Sequence, residues 1–125
     1  MERIILDTYI LIEMSKSNKD VIHKIKDYNK DNIFITTVIY VEYLNGVFNK
    51  ESMPQAIKLL LNFSILHSTI EIDRIFMDLF KKYSLSHKPS IPDMLIAATA
   101  IHYDAQLFTL NTRDFRFIEG LQLFT

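Results

Sequence analysis

Short, uninterrupted apolar runs that alternate with longer helical segments are the feature that most constrains this fold. The runs lie at residues 3–7, 33–36 and 107–109, with weaker candidates at 64–69 and 121–124. Continuous apolar residues are typical of strands buried on both faces, as in a parallel sheet. Strands alternating with helices predict an α/β fold around a mainly parallel sheet of about five strands.

Helical periodicity occupies the segments between these runs. The clearest example is residues 72–83, where apolar side chains recur at the i, i+3, i+4, i+7 spacing of one buried face. The segment 93–103, which follows Pro92, is too apolar to be a surface helix. The other predicted helices are a short one after Thr8, 18–29, about 38–48, and one starting at Ser52 and Pro54 with Ile57, Leu60 and Leu61 on its core side.

Length and composition predict one globular domain over residues 1–125. The chain is 49% hydrophobic and 23% charged, and it has no linker or repeat. Only two glycines are present, so a glycine-rich phosphate-binding loop cannot be built. Cysteine is absent, which excludes disulfides, zinc ribbons and thiol nucleophiles. The net charge of −1 leaves a nucleic-acid partner open, because metal ions held on acidic residues can meet a polyanion.

The chain carries no recognisable targeting or membrane segment. Asp7 interrupts the first apolar run, which also lacks the basic start of a secretory signal. The longest uncharged run, residues 59–70, contains polar residues and is shorter than the roughly 20 residues that span a bilayer. We therefore expect a soluble, cytoplasmic protein that does not contact a membrane.

Polar residues follow the predicted strands where an open parallel sheet binds its ligands. Asp7 ends the first strand, and Asn111 and Asp114 follow the fourth strand, in a predicted turn. Asp93 lies at the start of the apolar helix 93–103. Taken singly, each has a structural explanation as a turn, capping or helix-dipole residue. Their joint occurrence favours a ligand-binding site at these strand ends.

Glu42 is the most informative residue. The helix at 38–48 is apolar nearly all round, so we expect it to be buried over most of its circumference. A carboxylate there is costly unless it is paired or bound to a metal, and no basic residue occurs between Thr36 and Phe48.

Competing sites and folds are poorly matched. The four histidines show no H-x-x-x-H spacing, which argues against zinc, and no serine lies in a G-x-S-x-G turn. A phospho-accepting receiver domain needs an acidic pair after the first strand, and no such pair is evident in this chain. A haloacid-dehalogenase-like phosphotransferase needs D-x-D, where this chain reads Asp7-Thr8-Tyr9.

Several blocks of sequence are similar to those of a known family. They are residues 5–8, 37–46 with Glu42 inside, 91–100, 107–115 and 118–121. In order, spacing and length they resemble PIN-domain ribonucleases over essentially the whole chain, and most closely the VapC-type toxins of bacterial and archaeal toxin–antitoxin pairs. The block Ile-Pro-Asp-Met-Leu-Ile-Ala-Ala-Thr-Ala at 91–100 is the most specific.

This resemblance implies a single-domain α/β/α sandwich in which Asp7, Glu42, Asp93 and a fourth polar residue converge. It further implies metal-dependent endoribonuclease activity, a cognate antitoxin protein and a homodimer. The fourth position is Asn111, an exchange also seen in the family, with Asp114 as the alternative source of charge. Tyr9 stands where the family often has Asn or Ser.

The mechanism expected for such a site uses Mg²⁺ or Mn²⁺, which prefer oxygen ligands. Asp7 and Asp93 would bind the principal metal, while Glu42 and Asn111 or Asp114 would hold its waters or a second ion. In the substrate-binding roles we expect Thr8, Thr112, Lys88 and Arg113, the first two orienting ligands and the last two contacting phosphates. The alternative is a non-catalytic PIN-like module that binds RNA or protein, which the non-carboxylate Asn111 keeps open.

Overall fold

The computed structural model describes residues 2–125, so residue 1 of the expected domain lies outside it. All five predicted strands are present: β1 (Arg3–Leu6), β2 (Ile33–Thr36), β3 (Ser64–Leu66), β4 (Ala105–Phe108) and β5 (Gln122–Leu123). They form one sheet with the order β3-β2-β1-β4-β5, and every neighbouring pair is parallel. The prediction of a mainly parallel sheet is therefore confirmed.

Each predicted helix is also present, with shifted ends. The helices are α1 (Thr8–Ser15), α2 (Lys19–Ile25), α3 (Thr37–Asn45), α4 (Met53–Leu60), α5 (Ile70–Tyr83) and α6 (Ile91–His102). Helix α6 begins two residues earlier than predicted, because Ser90 caps it and Pro92 fits its first turn. Helix α3 ends at Asn45, with Gly46 as its C-cap. None of the helices within residues 2–125 is long and apolar enough to cross a membrane.

The helices cover both faces of the sheet. The chain moves from β1 through β2 to β3 in one direction and then returns past β1 to β4. Right-handed crossovers therefore put α1–α4 on one face and α5 and α6 on the other. The packing agrees, because α1 contacts α2 and α3 whereas α5 contacts α6, which in turn covers β4. The result is the expected α/β/α sandwich.

The core is centred on β1 and α6. Ile4, Ile5 and Leu6 are all fully buried, as expected for the central strand of a parallel sheet. Helix α6 is buried from Ile96 to Ala100, which confirms that it is not a surface element. This buried helix carries Asp93 in its first turn and so fixes one side of the candidate site.

The burial predicted for α3 and α4 is partly wrong. Val41 is 58% exposed and Phe48 is 98% exposed, and the one buried residue of α3 is Ile39. Of the predicted core residues of α4, Leu60 is buried, but Ile57 is 36% exposed and Leu61, which directly follows the helix, is 78% exposed. The reason is that only one side of each helix meets the rest of the chain, so apolar residues on the other side remain in water. Apolar composition alone does not reveal which side that is.

A pair of leucines tests this assignment of the core. Leu107→Ala in β4, where the side chain is fully buried, should lower the free energy of unfolding by about 2–5 kcal/mol. Leu85→Ala, where the side chain is 90% exposed, should change it by less than about 0.5 kcal/mol. Urea unfolding of the two variants measures both effects. Equal losses would contradict the strand assignment.

Candidate active site

The candidate site lies where the chain reverses direction across the sheet. β1 sits between β2 and β4, so the chain leaves it towards one edge and later returns on its other side. Ligands of open α/β sheets bind at the carboxyl ends of the strands at this point. Asp7 directly follows β1 and Thr109 directly follows β4, and the Asp7 backbone N–H donates to the Phe108 carbonyl over 2.9 Å.

Asp7 is a buried carboxylate with a hydrogen bond on each oxygen. Its side chain is 6% exposed, its Oδ1 accepts from the Thr8 backbone N–H at 2.8 Å, and its Oδ2 accepts from the Thr109 hydroxyl at 2.7 Å. Burial raises the pKa of Asp7, the two hydrogen bonds lower it, and the charge of Asp114 raises it again. Asp7 is also the N-cap of α1, so the same carboxylate caps a helix and faces the candidate site.

Glu42 lies across from Asp7 and is joined to it through one residue. Its Oε1 accepts a hydrogen bond from the Thr8 hydroxyl at 2.9 Å, while the Thr8 backbone binds Asp7. Glu42 is half-buried, not enclosed as its sequence context suggested. The ion pairs among residues 2–125, Lys16–Glu13 and Lys82–Glu119, do not involve it. Its charge therefore has no basic partner.

Asp93 shows the strongest electrostatic perturbation in the site. It lies in the first turn of α6, where its backbone N–H donates to the Ser90 hydroxyl at 3.2 Å. The pKa of Asp93 is raised to about 6, first by burial and then by the charges of Asp7, Asp114 and Glu42, against a hydrogen bond with Ser90 that lowers it. Carboxylates from four separate parts of the chain therefore act on one another in this site.

Two residues, Asn111 and Asp114, are candidates for the fourth polar residue of the site. Asn111 lines a cavity of about 270 Å³ together with Asp7, Thr8, Glu42 and Asp93, and its backbone N–H donates to the Thr109 hydroxyl at 3.0 Å. Asp114 lies in a turn of 3-10 helix, Thr112–Asp114, and lines a neighbouring cavity, from which its charge reaches Asp7 and Asp93. The structure brings both towards the site.

The residues expected to bind substrate are divided between these two cavities. Thr8 lines the acidic cavity, as does Tyr9, which is 57% exposed. Lys88 and Arg113 line the neighbouring cavity. Thr112 is exposed in its turn and lines neither of the two.

Sequence reasoning missed Thr109. It is 5% exposed, and its hydroxyl donates to Asp7 while accepting from the Asn111 backbone. One hydroxyl therefore connects the end of β1 to the loop after β4. The available signal was position, because Thr109 follows its strand as Asp7 follows β1.

The donor set fits a hydrated divalent cation. Within residues 2–125, no group of three Asp, Glu or His side chains is close enough to enclose an ion without help. Mg²⁺ needs no such group, because it typically takes one or two carboxylates and keeps several waters. The side chains around the 270 Å³ cavity offer oxygen ligands and no histidine or sulfur.

Comparisons with known proteins agree with this architecture. A model of the PIN domain family matches residues 4–120. The chain is 34% identical over 97 residues to Ribonuclease VapC1 of Rickettsia felis and 33% identical over 104 residues to Ribonuclease VapC of Rickettsia bellii. These matches cover 78% and 83% of this chain but only 62% and 65% of the two relatives.

A solved structure shows the same fold. VapBC-1 from nontypeable Haemophilus influenzae superposes with a TM-score of 0.82 at 25% identity, covering 97% of this chain and 96% of that one. Since the family model spans nearly the whole chain and the acidic residues lie at the carboxyl edge of the matching sheet, this chain belongs to the PIN-domain family.

Proposed function

We propose that this protein is a metal-dependent endoribonuclease that hydrolyses phosphodiester bonds in RNA, and that it acts as a VapC-type toxin in the cytoplasm. The observation that carries the proposal is the gathering of Asp7, Glu42 and Asp93 around one cavity, where none of the three forms an ion pair with a basic side chain of residues 2–125. The similarity to two proteins named as ribonucleases supports RNA as the substrate.

The acidic residues divide into two roles in this proposal. Asp7 and Asp93 would hold the Mg²⁺ or Mn²⁺ ion, and Glu42 with Asn111 or Asp114 would hold its waters or a second ion. Such an ion would supply polarisation of the scissile phosphate, activation of the attacking water and stabilisation of charge on the leaving oxygen.

Neighbouring side chains position this machinery. Thr109 and the Thr8 backbone each donate to one oxygen of Asp7, which leaves that carboxylate a single orientation towards the cavity. The Thr8 hydroxyl sets the position of Glu42 in the same way. Lys88 and Arg113 contact phosphates that flank the scissile bond, and Thr112 helps to orient ligands at the site.

The proposal includes a cognate antitoxin and a homodimer. The resemblance to toxins of toxin–antitoxin pairs and the fold shared with VapBC-1 support the antitoxin. The homodimer rests on the family resemblance alone. The exposed apolar side chains of Val41, Phe48 and Leu61 give the antitoxin or the second copy apolar surface to cover.

A non-catalytic RNA- or protein-binding module is the second candidate. Two observations favour it: the fourth position is the amide Asn111, and no three acidic side chains enclose an ion in residues 2–125. The two candidates differ in whether bound RNA is cut.

Substitution of the acidic residues separates these candidates. Asp7→Asn, Glu42→Gln and Asp93→Asn should each fold and lose at least about 100-fold in metal-dependent cleavage, or about 2.7 kcal/mol of transition-state stabilisation. The assay is incubation of purified protein with mixed RNA and Mg²⁺ or Mn²⁺, with chelator as a blank. Asp78→Asn, an exposed carboxylate on α5, is the matched control and should cut normally. Full activity in Asp7→Asn and Asp93→Asn would refute the proposal, whereas RNA retention without cleavage by the unaltered protein would favour the binding module.

The stability of the metal-free protein should depend on Asp93 and on pH. The pKa of Asp93 is about 6 in the folded protein against 3.8 ordinarily, so the folded state holds this proton where the unfolded chain has lost it. Deprotonation of Asp93 between pH 4 and 7 therefore lowers the stability of the folded protein, and the free energy of unfolding of Asp93→Asn should exceed that of the unaltered protein by about 1–3 kcal/mol at pH 7.5. This stability gap should shrink to about 0.5 kcal/mol at pH 4, where the folded protein keeps the proton.

Urea unfolding in chelator measures this gap, and titration with Mn²⁺ provides a second readout. A cation that binds the folded site should stabilise the unaltered protein more than Asp93→Asn and so narrow the gap. Asp78→Asn should show no gap at either pH. A less stable Asp93→Asn at pH 7.5 would mean that its charge is compensated in the folded protein.

A further inference from the structure

A cavity of about 620 Å³ adjoins the acidic cavity and shares Asp93 with it. Its chemistry is different, because the cations Lys88, Arg113 and Arg116 line it together with the carboxylates Asp93 and Asp114. The ion pairs found within residues 2–125 include none of these three cations. Positive charge without an acidic partner therefore lies directly beside the carboxylate site.

The same cavity contains a fixed aromatic ring. His87 stacks on Phe117 with ring centroids 4.1 Å apart and planes 12° from parallel. Its edge meets the Tyr83 ring at 5.7 Å, and its Nδ1 lies 2.7 Å from the Ser86 hydroxyl oxygen. His87 is nevertheless exposed, so Phe117 supports the ring from one face and leaves it accessible from the cavity.

The support beneath this ring belongs to the core. Tyr83 is 7% exposed, its ring meets Phe117 at 5.1 Å, and its hydroxyl accepts from the Glu119 backbone N–H at 3.0 Å. The ring of His87 is thus held by packing and not only by its loop, residues 84–90. A stacking surface whose position is fixed in this way loses little conformational entropy when a ligand binds.

We propose that this cavity is a nucleotide subsite, in which one base of single-stranded RNA stacks on His87 while Arg113, Arg116 and Lys88 bind its phosphates. The proposal rests on the proposed function, since it assumes that RNA is the substrate, and it adds which part of the RNA is held and by which residues. Exposed aromatic rings beside cationic side chains bind unpaired nucleotides, because every base has a stacking face and every linkage a charge. A paired base cannot stack in this way, so the subsite selects single strands.

Binding can be measured apart from cleavage. Fluorescence anisotropy of a labelled ten-nucleotide single-stranded RNA is recorded with Asp93→Asn protein, which should not cut it. In that background His87→Ala should raise Kd about 5- to 100-fold, the loss expected for one stacked base. His87→Phe keeps the ring and should stay within about 3-fold of the parent. His23→Ala, an exposed histidine on α2, is the control and should change nothing.

Two further measurements identify what the subsite touches. With an abasic oligonucleotide of the same length, His87→Ala should make no difference, because no base is present to stack. Arg116→Ala should weaken binding to both oligonucleotides and reduce the slope of log Kd against log salt by about 0.7, as expected for one lost phosphate contact on a single strand. In the cleavage assay, His87→Ala should raise KM and leave kcat within about 3-fold.

The outcomes separate this inference from the function beneath it. If the unaltered protein does not cut RNA, the proposed function fails. If it cuts and Asp93→Asn does not, an unchanged Kd and KM in His87→Ala overturn the subsite. Equal losses on normal and abasic RNA would assign His87 a structural role and also overturn it. If circular dichroism shows that His87→Ala is unfolded, the Kd of His87→Phe and the salt dependence of Arg116→Ala test the subsite instead. A slope of log Kd against log salt that Arg116→Ala leaves unchanged would count against the subsite.

Discussion

Two hydrogen bonds hold the Asp7 carboxylate inside the protein, where a negative charge is costly and where Asp93 and Asp114 add to the cost. The rest of the site follows from this constraint. Thr8 and Thr109 can orient the carboxylate but cannot neutralise it, and no basic side chain in residues 2–125 pairs with it. The folded protein therefore keeps a local excess of negative charge that a divalent cation would relieve.

The parallel sheet explains how residues so far apart in sequence come together. Asp7 directly follows the central strand, Thr109 directly follows its neighbour, and Asp93 lies in the first turn of the buried helix α6 that covers β4. Each is placed by backbone structure that is itself buried, so the spacing of the carboxylates is set by the core. The neighbouring cavity with His87 shares Asp93 with this group and is lined by the loop between α5 and α6 and by residues of the segment 113–117. Its cations supply opposite charge beside the acidic residues.

The sequence predicted the positions of the strands well and the exposed sides of the helices poorly. The buried strands and α6 were recognisable because continuous runs of apolar residues are typical of elements inside the core. Asp7, Glu42 and Asp93 were recognisable because a carboxylate in an apolar segment is costly unless it has a partner or a ligand. Val41, Phe48 and Leu61 are exposed although their segments are as apolar as the core, since packing partners and not composition decide burial. Thr109 was missed because a threonine after a strand has no charge to mark it, and His87 because its stacking on Phe117 depends on a contact across 30 residues.

Anomalous diffraction from a crystal grown with Mn²⁺ tests the central claim most directly, because it locates the ion without any assay of activity. The acidic cavity should hold a peak about 2.1 Å from carboxylate oxygens of both Asp7 and Asp93, with waters completing its shell. A saturating Mn²⁺ concentration that leaves this cavity without a peak, or places manganese only at other residues, would contradict the account.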